Sequence, residues 1–181
     1  MTNIQSEKII ELSKTKIISL IMGSLGFVTL GIWFLLLSDE FIKKSLPIMS
    51  PTTVHIVGVV GILFFGFFGL VALKKVFNNS PGLVLNAAGI FDNSSAVSAG
   101  FIPWSEVESI EQYKVHSQKI LAIHVKTPEK YLTGNALLVA TKKANQNMSG
   151  TPIHITANTL KIGFDELLAE VNGYFAAYQP Q

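Results

Sequence analysis

Two long runs without a charged residue decide most of what this chain can become. The first, IISLIMGSLGFVTLGIWFLLL, covers residues 17–37. The second, HIVGVVGILFFGFFGLVALKK, covers residues 55–75 and closes on Lys74 and Lys75. A helix rises about 1.5 Å per residue, so about 20 residues cross a hydrocarbon core of about 30 Å. The core of a soluble domain rarely needs apolar runs of this length. Together they predict a transmembrane hairpin over residues 17–77. Only 14% of the residues are charged, against roughly 25% in an average soluble domain, while 49% are hydrophobic. The first run follows Lys8, Lys14 and Lys16, as a signal peptide would. It exceeds the roughly 7–15 apolar residues of a signal core and no small-x-small site follows it, so it reads as a retained span.

Lysine placement orients the hairpin. Residues 1–16 form an arm with three lysines, and the second span ends on two more. The connecting loop, residues 38–54, carries Lys43 and Lys44 beside Asp39 and Glu40. Acidic residues weigh little in the positive-inside rule. The expected topology is both termini in the cytoplasm of a bacterial inner membrane, with the loop outside.

Glycines recur in both spans: Gly23, Gly26 and Gly31 in the first, and Gly58, Gly61, Gly66 and Gly69 in the second. At about 100° per residue each set lies on one broad face. Small faces allow close backbone approach in lipid. These glycines are candidate helix-packing residues for the hairpin, or for a homo-oligomer. No ionisable residue sits mid-span to carry a proton or an ion.

The break NNSPG at residues 78–82 opens a second region, residues 78–181. GLVLN, IFDNSS and SAGFIPW read as short strands, EQYKVHS and KILAIHVK as longer ones, and TPIHITAN and KIGF as returning strands. Phe164, Leu167, Leu168, Val171, Tyr174, Phe175 and Tyr178 recur at helical spacing. Asp165 and Glu166 stand where the helix dipole favours them. The expected core takes Leu83, Leu85, Ile90 and Ile102 from the first strands and Trp104, Val107 and Ile110 from the segment after them. Leu121, Ile123, Val125, Ile153 and Ile155 join from the later strands, and Leu167, Leu168 and Val171 from the helix. Residues 127–152 fit less well: Asn135 would cap a helix from Ala136 to about residue 145.

PGLVLNAAGIFDNSS followed by GFIPWSEVESI resembles the family of small bacterial membrane proteins named after the Salmonella protein STM3941. Its members have two spans and a soluble domain similar to pleckstrin-homology-like barrels. In such barrels a strand carrying I-P-W is followed by an acidic-apolar segment. The resemblance covers roughly residues 75–126 well, the C-terminal strand and helix less closely, and residues 127–152 hardly at all. It implies an α+β membrane protein: an N-terminal two-helix hairpin, then a small barrel capped by a C-terminal helix. It supplies no catalytic residue. Pro103 and Trp104 then read as a structural corner. Proline lacks a backbone donor and suits a strand end, Trp104 would plug the barrel rim, and Glu106 and Glu108 would stay in solvent.

Chemistry is sparse in this sequence. There is no cysteine and no arginine, so thiolate chemistry, disulfides and guanidinium forks are excluded. No phosphate loop, G-x-S-x-G or H-E-x-x-H motif occurs. His124 and His154 would face one another across a sheet, without the further ligands that zinc requires. Glu106, Glu108 and Glu111 read as a solvated acidic patch, and Asp92 and Asn93 as a turn. A net charge of +2 argues against nucleic acid. Gly82 to Ser105 holds no basic residue, which argues against a phosphoinositide site, although Lys142 and Lys143 would reach an anionic membrane. Leu137, Leu138 and Val139 are apolar residues beyond what a small barrel needs, and are candidate partner contacts. The expected function is a non-enzymatic, membrane-anchored binding or scaffold protein with a protein partner and no cofactor or metal. The alternative is an immunity protein that neutralises a toxin acting at the inner membrane.

Overall fold

A computed structural model describes residues 7–77 and 79–178 of the chain. Residues 1–6 of the expected arm and Asn78 of the expected boundary lie outside the described residues. The chain divides into two compact units. One is residues 14–79; the other joins the residues up to Ser13 with those from Ser80 onward.

The first unit is helical: α1 (Lys14–Leu36), α2 (Asp39–Ser45) and α3 (Pro51–Phe77). Both α1 and α3 are long and apolar enough to cross a membrane. Met22, Leu63 and Leu70 stay exposed along them, where a core helix of a soluble protein would bury such side chains. The two helices pack along a narrow seam. Gly31 and Gly58 meet backbone to backbone: a Cβ on Gly58 would lie 2.8 Å from the Gly31 carbonyl oxygen. Phe27 stacks on Phe65 with ring centroids 4.1 Å apart. The Ser24 hydroxyl donates to the Phe65 carbonyl, and a Cβ on Gly69 would press on Ser24. In a bilayer, which would give helices no hydrophobic reason to associate, such close approach and hydrogen bonding would hold them together.

That seam is narrower than the expected glycine face. Gly23, Gly26, Gly61 and Gly66 have open space where a side chain would be. Contacts recur at 24, 27 and 31 on α1 and at 58, 65 and 69 on α3. This is close to the 3.5-residue repeat of a two-helix seam, and the outer glycines of each arc fall beside it. The expected loop 38–54 is also more ordered than a loop. Ser38 caps α2 by accepting from the Phe41 N–H, and Asp39, Glu40, Lys43 and Lys44 are placed as the dipole prefers. Ser50 accepts from the Thr53 N–H at the start of α3, with Pro51 at the first helical position.

The second unit begins before the hairpin. Residues 7–10, expected to be part of an arm, form strand β1 (Glu7–Ile10). It pairs antiparallel with β2 (Leu83–Asn86), which lies beyond the whole hairpin in sequence. β3 (Gly89–Asp92) and β4 (Gly100–Pro103) complete a four-stranded antiparallel sheet in the order β1-β2-β3-β4. A turn of 3-10 helix, Trp104–Glu106, leads to a second sheet of β5 (Val107–Val115), β6 (Gln118–Val125) and β7 (His154–Ile155). Between β6 and β7 lies α4 (Ala136–Ser149), and the described chain ends on α5 (Phe164–Tyr178). The apolar helices are therefore inserted between two neighbouring strands; they do not simply precede the sheets.

Alternation of side chains places the core. Ile10, Leu83, Leu85, Ile90 and Ile102 are buried on one face of the first sheet, and Leu121, Ile123, Val125 and Ile155 in the second. Trp104, Val107, Ile153, Leu167 and Val171 are buried as expected, whereas Ile110 and Leu168 are half-buried. Lys8 anchors β1 to α5 through Glu170 at 2.8 Å, and that hydrogen bond raises the lysine pKa against the opposing effect of desolvation.

Two local readings change and a third is refined. VESI and EQYKV form one strand, β5, with an irregularity between Val107 and Ser109, and His116 turns the chain at φ 53°. KIGF is not a strand. Leu160 instead makes a single bridge to Leu12, while Ser13 N–H donates to Thr159 and Lys161 N–H to Glu11. Asp92 leads the expected turn, but from a buried position. Its carboxylate accepts from Ser94 N–H at 2.9 Å, Ser94 Oγ at 2.6 Å and Ala99 N–H at 2.8 Å, organising the loop into β4.

Candidate functional site

The corner after β4 is built by burial. Trp104 is 2% exposed. Its indole Nε1 donates to the Asn86 carbonyl at 2.8 Å, and its ring lies 6.0 Å from that of Phe175 on α5. A buried indole N–H needs such a partner, and here the partner lies in the next strand pair. Pro103 ends β4 where no donor is required. Glu106 does not stay free in solvent. It is half-buried and pairs with Lys130 at 2.7 Å, and that hydrogen bond lowers its pKa first among several causes. With its ring buried and its N–H satisfied, Trp104 is a packing residue.

A polar cluster lies on one face of the second sheet. His154 stands opposite Ala122 across the β6–β7 pair, so His124, two residues along, shares its face. Glu111, opposite Ala122 on β5, shares that face as well. His124 Nε2 is 3.6 Å from the Glu111 carboxylate. The end of α4 approaches here, where Gly150 closes the helix in a left-handed conformation and Ser149 Oγ lies 2.5 Å from His154 Nε2. Ser149 Oγ also reaches the carbonyls of Asn145 at 3.2 Å and Thr151 at 3.4 Å. A hydroxyl has one proton. Given to a carbonyl, it leaves the oxygen to accept from His154 Nε2–H; given to the imidazole, it makes Nε2 the acceptor. Burial, and then the neighbouring His124, lower the His154 pKa. The lowered pKa favours a neutral imidazole, and its tautomer sets which of the two groups donates. Among the described residues no group of three or more His, Asp or Glu is arranged to hold a metal ion.

The excursion 127–152 is mostly α4. Asn135 caps it, accepting from the Leu138 N–H at 3.0 Å, and the helix runs to Ser149, beyond the expected end. Of the three candidate contacts, Leu137 is 51% exposed while Leu138 and Val139 are half-buried, Leu138 lying against Gly134. Lys142 does not reach outward. It is 4% exposed, its ammonium donates to the Thr133 carbonyl at 3.3 Å, and burial lowers its pKa against the attraction of Asp92. Lys143 remains exposed.

One surface escaped the sequence reading. Ile9 stands opposite Val84, Val84 opposite Phe91, and Phe91 opposite Phe101. Cross-strand partners project to the same face, so these four side chains make one row across the first sheet, on the face away from the core. Ile9 is 58% exposed, Phe91 42% and Phe101 51%, while Val84 between them is only 9% exposed. The outer face of a half-buried antiparallel sheet is ordinarily polar. The signal was present in apolar residues at both parities of each strand: Leu83, Val84 and Leu85; Ile90 and Phe91; Phe101 and Ile102. Reading only the inward set hid it.

No family model, curated protein or solved structure matches this chain.

Proposed function

We propose that this protein is a non-catalytic binding module held at a membrane by its own hairpin, presenting a pleckstrin-homology-like barrel to a protein partner at the cytoplasmic face of a bacterial inner membrane. The observation that carries this reading is the insertion of α1–α3 between β1 and β2. A barrel tied to the hairpin through two adjacent strands is held close to the bilayer by two connections, which suits presentation of a surface. The division into four and three antiparallel strands with a C-terminal helix supports the pleckstrin-homology-like reading, and with it the resemblance to the STM3941-type family.

The partner contact is assigned to the exposed side of α4 around Leu137. A photo-crosslinking residue at position 137, in the full chain in its native membrane, tests this. A discrete cross-linked protein that is lost on competition with the uncrosslinkable chain, but not with its Leu137→Asp form, is the expected result. Equal competition by both forms removes α4 as the contact.

A further inference from the structure

We propose that the outward row Ile9–Val84–Phe91–Phe101 docks the first sheet onto the surface of the same bilayer that the hairpin enters, with the two phenylalanines at the boundary between headgroups and acyl chains. This rests on the reading that α1 and α3 span a membrane.

The row is continuous across all four strands of the sheet through successive register pairs. Its outward neighbours are Glu7 opposite Asn86, Gly89 opposite Pro103, and Glu11 paired with Lys161, so an apolar row runs between charged flanks on the β1 side. Lys8 lies at the other parity of β1 and is engaged by Glu170, residues 82–105 contain no lysine, and Lys161, at the edge of this face, is paired with Glu11. The row itself carries no charge with which to hold a headgroup. It suits shallow insertion of aromatic and aliphatic side chains, about 5–10 Å into the headgroup and acyl boundary.

Chain connectivity selects the bilayer as the occupant. The strand that carries Ile9 continues in hydrogen bonds through Glu11 and Ser13, and α1 starts at the next residue, Lys14. Ile9 is five residues from that start, a span of at most about 18 Å. On the return, α3 ends at Phe77 and β2 begins at Leu83, again a matter of a few residues. The chain thus brings an apolar phase within reach of this row at every protein concentration. A second copy would have to be recruited against the loss of its translational freedom.

The protein has no cysteine, so single reporters can be placed in the full chain. Phe91→Cys, Phe101→Cys, Glu108→Cys and Leu63→Cys are each labelled with nitrobenzoxadiazole. The chains are reconstituted at one per nanodisc of phosphatidylethanolamine and phosphatidylglycerol, with or without nitroxide-bearing lipid. Expected are blue-shifted emission and loss of intensity to the lipid nitroxide at positions 91 and 101, together with a water-like spectrum at 108. Leu63, exposed on α3, reports on the hairpin itself and should be quenched by a nitroxide deep in the acyl region. Quenching at 63 with water-like, unquenched emission at 91 and 101 overturns the docking alone. A blue shift at 91 and 101 that appears only with several chains per disc, and without lipid quenching, identifies a second copy as the occupant and also overturns it. No quenching at 63 overturns the spanning hairpin and the docking with it.

Discussion

Ile10 and Leu83 are register partners in adjacent antiparallel strands, and the entire apolar hairpin lies in the chain between them. The contact is tight, with Gly82 N–H donating to the Ile10 carbonyl at 2.9 Å. Two hydrogen-bonded strands of one sheet cannot lie on opposite sides of a bilayer. Any membrane crossing between them must therefore occur an even number of times, whatever the lysines prefer.

This pairing makes a topological prediction. Cysteines placed singly at Glu7, Ser50 and Lys143 in intact cells should split two ways with a membrane-impermeant thiol reagent. Position 50, between α2 and α3, should react. Positions 7 and 143 should be protected together until the membrane is permeabilised. Opposite behaviour at 7 and 143 would contradict the β1–β2 pair.

The same pair predicts that the two-sheet unit survives loss of the hairpin. Replacing residues 14–79 with a short Gly/Ser turn should give a water-soluble domain that melts cooperatively, because both flanking strands keep their partners. Removing residues 7–13 as well should destabilise it by exposing the β2 edge and leaving Glu170 without Lys8. Circular dichroism melts of the two forms check this, and an insoluble or unfolded first form would count against it.

Trp104→Ala should cost about 3–5 kcal/mol, the range for emptying a buried aromatic site. Trp104→Phe should cost less, but more than a simple change of area, because the Asn86 carbonyl loses its donor. Denaturant titration of the hairpin-free domain measures both. An alanine form as stable as the parent would show that the ring is not part of the core.

His154 sets a direction for acid stability. Its pKa is lowered from the ordinary 6.5, first by burial and then by His124. As pH falls through the ordinary value, the unfolded chain takes up the proton before the folded one does. The folded state therefore loses stability on acidification below that value and gains it toward neutrality. His154→Gln should flatten this dependence between about pH 7 and 5. An unchanged slope in melts across that range would assign the dependence to other groups.

The hairpin seam gives a paired test. Gly58→Leu should destabilise the packing of α1 on α3, at a cost of about 1–3 kcal/mol for forced overpacking, since its Cβ would meet the Gly31 carbonyl at 2.8 Å. Gly26→Leu should be silent, having open space. Unfolding of the full chain in detergent separates the two. Equal effects would mean that the glycines act through helix propensity rather than packing.

Much of this protein was legible in its residues taken a few at a time. Long charge-free runs specify helices fit for lipid, because backbone polar groups in hydrocarbon must be satisfied within the segment. Period-two alternation located β2 to β4 and β6 and most of the core, period 3.6 located α5, and Asn135 marked the start of α4. These are local signals, readable without knowing what lies across the fold. Other features depended on partners distant in sequence. EKII at residues 7–10 is too short to declare itself a strand and becomes one only because LVLN, beyond the hairpin, offers it an edge. Register decided which glycines meet and which face outward. It also lined up Ile9, Val84, Phe91 and Phe101 from four separate strands into one row. Lys142 looked like a surface charge by type and is buried because the face of α4 that carries it packs inward. Local pattern determines which elements a chain can form. Pairing across sequence distance determines which of their faces remain open, and that information exists only once the strands have met.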